Sequence, residues 1–323
     1  MSLQNASIKL THFIIGGFDT VKRPVAVGVV MLITYLLAVF ASLVNIIFIV
    51  SDKQLHKPMY LLICNLAVVD VFYTSSATPT MIGVLLAGVN TISYVECLIQ
   101  MYVYQVGATM EMFSLTIMAF DRLIAIICPL QYHSYLTNTR TLVFTYILWI
   151  VACSFVLFTL VTATPLPHCY SRLRYTFCDY AAVMRATCVN PEKYFTQTAI
   201  ISFFVSFSTF TFICLSYCGI LVFVKILSNN DKKKMGSTLV SHLICVSCLY
   251  GPQFGVVLTL EENQGLVIGA VLGPCLVNPF VYCLRTKEIK QKLFKIFKNN
   301  SLPLHWCIFS EHFVTNCWKH HSP

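Results

Sequence analysis

Residues 24–51 have the sequence PVAVGVVMLITYLLAVFASLVNIIFIVS, a run without any charged side chain. A helix needs roughly 20 apolar residues to cross about 30 Å of hydrocarbon, so this run is long enough to span a membrane. Further charge-free runs of sufficient length lie between Arg140 and Arg172, Lys193 and Lys225, Lys234 and Glu261, and Glu262 and Arg285. Each of these runs predicts a membrane-spanning helix.

Two additional spans are predicted from segments that contain one internal acidic residue each. The segment from Lys57 to Glu96 contains Asp70, and the segment from Glu96 to Asp121 contains Glu111. We therefore predict an all-α membrane protein, a single domain over residues 1–323 that forms a seven-transmembrane helix bundle. The predicted spans cover about residues 25–50, 59–86, 95–128, 141–163, 194–227, 235–259 and 265–285.

The segment after the last span alternates lysines with apolar residues at helical spacing, which predicts a short amphipathic helix over 287–298 at the membrane surface. Residues 299–323 have no readable periodicity and are assigned to a cytoplasmic tail. The composition, 57% hydrophobic and 11% charged with a mean hydropathy of +0.74, excludes a water-soluble globule.

The distribution of basic residues predicts the orientation. Loops assigned to the inside carry about twice as many Lys and Arg residues as the outside segments, as short cytoplasmic loops do. The chain is therefore expected in the plasma membrane with residues 1–24 outside the cell, where the sequon Asn5-Ala6-Ser7 predicts glycosylation of Asn5. Contact with anionic lipid explains the net charge of +9 without any nucleic-acid partner.

Asp70 and Glu111 are costly in a membrane helix, so both must face the bundle interior and have a partner. We expect the two acids to meet at mid-membrane, near Asn45 and Asn278, and to hold a sodium ion or one shared proton. A protonated pair with a purely structural role is the alternative. Helical spacing also predicts one inward stripe on the third span, formed by Tyr104, Ala108, Glu111, Leu115, Met118 and Arg122.

The sequence has 15 cysteines, most of which are interpreted as small apolar core residues. Cys245 and Cys248 have a redox-like spacing, but they lie within the sixth span, away from water and stabilising charge. Cys97, Cys169, Cys178 and Cys188 all fall on the predicted oxidising side, which predicts two disulfides. Spacing leaves all three pairings open.

Three motifs resemble those of rhodopsin-like G-protein-coupled receptors: Leu66-Ala67-x-x-Asp70, Asp121-Arg122 with Ala125-Ile126, and Asn278-Pro279-x-x-Tyr282. Within that class the chain resembles the odorant (olfactory) receptors over about residues 25–298. The most specific motif is Lys234-x-x-Ser237-Thr238-x-x-Ser241-His242-Leu243 at the start of the sixth span. The segments Leu55-His56-Lys57-Pro58-Met59-Tyr60 and Arg285-Thr286-Lys287-Glu288-Ile289 resemble forms found in fish odorant receptors, which implies a ligand that arrives dissolved in water.

The resemblance implies pairing of Cys97 with Cys178 and of Cys169 with Cys188, in a lid over a pocket for a small-molecule odorant. It also implies coupling to a heterotrimeric stimulatory G protein, and therefore no enzymatic activity and no cofactor beyond a possible sodium ion. The residues expected to switch the receptor and contact the G protein are Asp121, Arg122, Tyr217, His242, Tyr250, Asn278, Pro279 and Tyr282.

In this scheme Arg122 pairs with Asp121 in the silent state, and Tyr250 relays the signal from the pocket. His242 is either a packing residue, which we favour, or a pH-sensitive latch. By position, the resemblance assigns a mostly apolar ligand site in the outer half of the bundle to Met101, Tyr104, Gln105, Ala108, Thr109, Ile201, Ser202, Val205, Gln253, Val257, Ile268 and Val271.

Other functions are less consistent with the sequence. A non-olfactory rhodopsin-like receptor for another small ligand is the principal alternative, although an amine receptor normally has an acidic residue where Tyr104 stands. An ion-coupled transporter would use Asp70 and Glu111 as ion ligands, but it predicts inverted repeats, and the sequence contains none. The sequence also lacks the Gly-rich phosphate loop and the His-Glu-x-x-His and Gly-x-Ser-x-Gly motifs of common enzyme classes.

Overall fold

The computed structural model describes residues 11–190, 192–224, 229–259 and 264–285. Within these ranges, seven long helices form one bundle: α1 (Pro24–Ser51), α2 (Pro58–Ile82), α3 (Tyr94–Ile127), α5 (Asn138–Ala163), α7 (Glu192–Val224), α8 (Asn229–Thr259) and α9 (Gln264–Arg285). Two short helices, α4 (Tyr132–Tyr135) and α6 (Tyr180–Arg185), lie in connecting segments. The predicted glycosylation site Asn5, the amphipathic helix 287–298 and the tail 299–323 fall outside the described residues.

Local sequence accounts for several helix starts. Proline occupies the first position of α1 and of α2, where its missing N–H leaves no hydrogen bond unmade. Ser93 begins α3 with a capping box: its hydroxyl accepts from the Glu96 N–H, and the Glu96 carboxylate accepts from the Ser93 N–H. Thr137 caps α5 in the same way, through the N–H of Arg140.

The bundle has an apolar exterior and a polar centre. In the part of the chain that the structure describes, five helices are long and apolar enough to cross a membrane, and α8 adds a shorter apolar stretch, Leu239–Phe254. Large apolar side chains such as Phe40, which is 68% exposed, cover the outer faces of α1, α5 and α7, whereas Asp70, Glu111 and Asn278 are buried. Water-soluble monomers rarely expose such continuous apolar surfaces. The chain is a multi-pass membrane protein, as the sequence predicts.

The helices pack around α3. It contacts α2, α5, α7 and α8, while α9 closes the ring against α1, α2 and α8. Helices α2 and α3 pack closely at Gly107, where an added Cβ would lie 2.9 Å from the Tyr73 Cβ. A glycine at this position therefore allows the Tyr73 ring to lie between the helices.

A small sheet, which the sequence analysis does not predict, covers the end of the bundle where α1 begins. Strand β1 (His12–Ile15) is central, antiparallel to β2 (Thr91–Ser93) and parallel to β3 (Arg172–Leu173). Phe13 and Ile15 point into a buried cluster with Cys97, and Arg172 forms an ion pair with Asp19. We call this the disulfide end, and the opposite end the Arg122 end.

Candidate functional site

At the centre of the bundle, Asn278 of α9 joins two acids from different helices. Its Nδ2 donates to Asp70 Oδ1 of α2 at 3.0 Å and to Glu111 Oε1 of α3 at 3.1 Å. The structure thus brings the two acids together. No described residue hydrogen-bonds Glu111 Oε2 or Asn278 Oδ1, although both atoms are buried. The arrangement leaves oxygen atoms available for a proton or a cation.

The two carboxylates supply the oxygen ligands that a small hard cation prefers, whereas a thiol is a poor ligand for such a cation. Oxygen atoms of Asp70 and Glu111 and the sulfur of Cys275 lie within 4.8 Å of one another. No basic side chain among the described residues pairs with them. Two carboxylates this close cannot both remain ionised unless a cation or a shared proton compensates them. Asn45 is also predicted to lie near the acids, and its side-chain amide bonds the residue after Asn278. Its Nδ2 donates to the Pro279 carbonyl at 3.1 Å and so links α1 to α9.

Above this cluster, aromatic rings from three segments meet. The Tyr104 ring of α3 stacks on Tyr73 of α2, with centroids 5.1 Å apart. It also contacts Phe177 at 4.7 Å, in the segment between α5 and α7 that we call the long loop. The Tyr73 hydroxyl donates to the Tyr104 hydroxyl at 3.4 Å. The predicted stripe of α3 therefore runs from an aromatic contact with the loop, through buried Glu111, towards Arg122.

Two disulfides fix the long loop over this end. Cys97 of α3 pairs with Cys178, and Cys169 pairs with Cys188, so the structure contains both disulfides that the resemblance implies. Gln100 adds a polar tether: its Oε1 accepts from the Cys178 N–H at 2.9 Å. The disulfides and this hydrogen bond hold the loop against α3 above the Tyr104 ring.

Sequence reasoning missed two residues of this loop, Phe177 and Asp179. Asp179 accepts a hydrogen bond from the Tyr180 N–H at 2.6 Å and also hydrogen-bonds the Gln105 side chain. Burial raises the pKa of Asp179, and these hydrogen bonds to its carboxylate oppose the rise. Both residues are next to Cys178 in the sequence, and the disulfide of Cys178 with Cys97 holds them close to α3. Their position beside this cysteine is the signal that could have identified them.

His168 lies on the other side of the same loop. Its ring contacts Phe13 and Tyr94 in edge-on geometry, with centroids 5.7 and 5.4 Å apart. Burial lowers the pKa of His168, because the charged imidazolium would lose its water there. Aromatic contacts therefore attach β1 to the long loop.

The predicted ligand residues occupy different environments. Met101 and Val271 are fully buried; Tyr104, Gln105, Ala108, Thr109, Ile201, Val205, Gln253 and Ile268 are half-buried; Ser202 is exposed. Gln105 accepts a hydrogen bond from Thr159 at 3.3 Å, and Thr109 donates to its own helix. Val257 lies in α8, but its side chain is outside the described set. Most of these residues are therefore at least half-buried, and their role in ligand binding stays a prediction.

The Arg122 end contains four of the predicted switch residues, Asp121, Arg122, Tyr217 and His242. Arg122 lies 3.3 Å from the Asp121 carboxylate, and the Tyr132 hydroxyl donates to the same carboxylate at 2.7 Å. Tyr217 of α7 hydrogen-bonds Nδ1 of His242 in α8. His242 thus contacts α7, as a packing residue would. Its role as a pH-sensitive latch stays a prediction.

Two further switch residues, Tyr250 and Tyr282, are buried in the interior of the bundle. Tyr250 donates to Thr209 at 2.7 Å, which links α8 to α7 below the aromatic cluster. Tyr282 of α9 is buried within the same core as Tyr217 and Tyr250. The switch residues are therefore distributed along a continuous interior rather than confined to one surface.

Comparison with known proteins decides the family. The model of the olfactory receptor family matches residues 31–300. The chain belongs to the olfactory receptor family. Olfactory receptor 9Q1 of Homo sapiens is 32% identical over 280 residues, covering 84% of this chain and 90% of the relative.

Other olfactory receptors match to a similar extent. Olfactory receptor 5P70 of Mus musculus is 32% identical over 299 residues, covering 88% of this chain and 89% of the relative. Olfactory receptor 6F1 of Homo sapiens is 30% identical over 310 residues, with 92% and 99% coverage. The olfactory receptor described here is accordingly an odorant receptor of the rhodopsin-like class and a signalling protein rather than an enzyme.

Proposed function

We propose that this olfactory receptor binds a small neutral or amphipathic odorant at the disulfide end and activates a stimulatory G protein at the Arg122 end. The observation that carries the proposal is the continuity of α3, which joins the Tyr104 aromatic cluster to Arg122. These residues are 18 positions apart, about 27 Å along a helix. A ligand that binds one arrangement of this helix better than another shifts the population towards signalling.

The proposal includes an orientation in the plasma membrane. The disulfide end faces outside the cell, because disulfides persist in an oxidising environment and the basic loops lie at the other end. An epitope tag at the N-terminus should bind antibody on intact cells, whereas a tag at the C-terminus should require permeabilised cells. The reverse pattern would refute the orientation.

The function is tested by cyclic AMP output in transfected cells exposed to amino acids, bile-type steroids and small volatile molecules. For any active compound, Tyr104→Ala should raise the half-maximal concentration tenfold or more, since the ring contacts two other aromatic residues at the proposed site. Arg122→Ala should reduce the maximal response. Val30→Leu, on the exposed face of α1, is the matched control.

Surface expression of each variant must be measured in parallel. Equal responses from Tyr104→Ala and the unmodified receptor, at equal surface expression, would place the ligand elsewhere. If none of the compounds raises cyclic AMP but another class of small ligand does so strongly, the non-olfactory alternative would be favoured.

We also propose that the cluster of Asp70, Glu111 and Asn278 holds a sodium ion that biases the receptor towards its silent state. Replacing the two acids with amides (Asp70→Asn with Glu111→Gln) should abolish the sodium dependence of cyclic AMP output when sodium is exchanged for a large organic cation. Ser42→Ala, a buried polar change on α1, is the control. Sodium dependence that persists in the double variant would eliminate this site, and its absence from the unmodified receptor would favour a shared proton.

A further inference from the structure

A groove with a volume of about 750 Å³ lies on the flank of the bundle between α2 and α3, at the disulfide end. Its walls include Phe72, Pro79 and Gly83 from the α2 side and Ile99, Gln100 and Val103 from α3. None of the predicted ligand residues lines it. Phe72 and Ile99 are 51% and 57% exposed, so the groove opens on the apolar flank rather than into the bundle.

The sequence of α2 explains why the space exists. Pro79 interrupts the hydrogen bonding of the helix, and residues Gly83–Ala87 continue it as a wider π-helical turn that ends at Gly88 with φ +66°. Gly83 has no side chain to fill the gap. A Cβ added there would meet no atom within 4 Å, and its backbone is helical, so larger residues fit without strain.

The polar groups of the groove are arranged along its length. Most of the lining is apolar, and Glu96 is its single ionisable side chain, positioned in the first turn of α3. Val103 lies seven residues further along, about 10 Å deeper in the membrane. A carboxylate at the membrane surface above an apolar slot has the polarity of a site for an amphiphile with a positively charged head.

The other polar groups show where the head of a ligand can bind. Gln100 Nε2 already donates to the Ser76 carbonyl at 2.8 Å and to Thr80 Oγ1 at 2.7 Å. The Glu96 carboxylate accepts from the Ser93 N–H and hydroxyl through Oε2. Its other oxygen, Oε1, can pair with a positively charged head.

We propose that this groove is a second binding site, separate from the odorant site, for a lipophilic primary amine that partitions into the membrane. The alkyl chain lies between Phe72 and Ile99, and the ammonium group pairs with the Glu96 carboxylate. A chain of medium length, about 10 Å, matches the depth of the groove.

The site has a direct connection to the lid. Gln100 forms part of the groove wall, and its Oε1 accepts from the Cys178 N–H. A bound amine that displaces the Gln100 side chain would therefore change the tether of the long loop. This connection gives the groove a route by which an occupant alters odorant binding.

The test uses the full-length receptor in phosphatidylcholine nanodiscs and an eight-carbon primary amine that carries a terminal diazirine. The alcohol and the carboxylate with the same tail are the matched probes. We expect saturable cross-linking by the amine, competed by octylamine, to peptides that contain Phe72 or Val103, where the end of the tail would lie. The alcohol should bind about tenfold more weakly because it lacks the ion pair, and the carboxylate should not label the site.

Two variants separate the charge from the cavity. Glu96→Gln keeps the capping box, since glutamine also serves at that position, and should weaken amine labelling about tenfold. Gly83→Trp fills the groove and should abolish labelling, while Val151→Trp on the exposed face of α5 should not. Thermal unfolding confirms that each variant is folded.

Three results would overturn the proposal. Equal labelling by the alcohol and the amine would identify a site for neutral lipid. Cross-links that do not saturate, or that map outside the groove, would indicate simple partition into the bilayer. Unchanged labelling in Gly83→Trp would place the amine elsewhere. Because every readout is binding, these results are independent of the odorant and of the G protein.

Discussion

Replacing Asn278 with alanine will lower the free energy of unfolding by about 3–5 kcal/mol, the largest effect expected for a single polar substitution in this receptor. The Asn278 amide is the shared donor to Asp70 and Glu111, both of which are buried. Its removal leaves two acids inside the bundle without that donor. Thermal unfolding in detergent micelles measures the loss, with Asn90→Ala in the exposed segment before β2 as the control.

A triple variant tests whether the cost arises from the orphaned acids. Asn278→Leu combined with Asp70→Leu and Glu111→Met removes donor and acceptors together and should be more stable than Asn278→Ala, because buried polar networks can be replaced by well-packed apolar groups at little cost. If Asn278→Ala unfolds at the temperature of the unmodified receptor, the hydrogen bonds to the two acids do not stabilise the bundle.

The two disulfides should differ in their contribution to stability. Cys97 and Cys178 are separated by 81 residues, and Cys169 and Cys188 by 19. Loop-closure entropy gives about 4.5 kcal/mol for the longer loop and about 3 kcal/mol for the shorter one. The double serine variant of the first pair should therefore unfold at the lower temperature and show the greater loss of surface expression.

Cys214→Ser provides the control for cysteine replacement, since that thiol is free and exposed. Flow cytometry on intact cells and thermal unfolding of the purified receptor give independent measurements. A larger loss from the Cys169 and Cys188 variant would show that local packing of the loop, rather than the length of the closed chain segment, determines the stabilisation.

The helical bundle could be predicted from the sequence because bilayer thickness sets a length that charge-free runs must reach. The pairing of Asp70 with Glu111 could also be anticipated, since an isolated acid in a membrane helix is too costly. The sequence predicts Asn45 and Asn278 near these acids, but it does not specify which of the two amides hydrogen-bonds them. Both amides are buried, but only the packing of α9 determines that Asn278 bonds the acids and Asn45 bonds the Pro279 carbonyl.

The small sheet and the long loop could be predicted from the sequence less completely than the helices. Strand β1 has four residues, too few for a periodic pattern, and both of its partners are distant in sequence. Ser202 was assigned to the ligand site by position, and its exposure depends on the rotation of α7, which an almost uniformly apolar sequence does not specify. Asp179 lies in a loop without periodicity, where only its neighbour Cys178 indicates its place.

The central position of β1 imposes an order of events on biosynthesis. His12–Ile15 leaves the ribosome first, but Arg172–Leu173, its parallel partner, follows roughly 150 residues later, a delay of about 10–30 s at ordinary rates of translation. During that interval one edge of the oldest strand has no partner and is open to capture by other chains. The order of synthesis therefore leaves this edge open to aggregation until the long loop has been made.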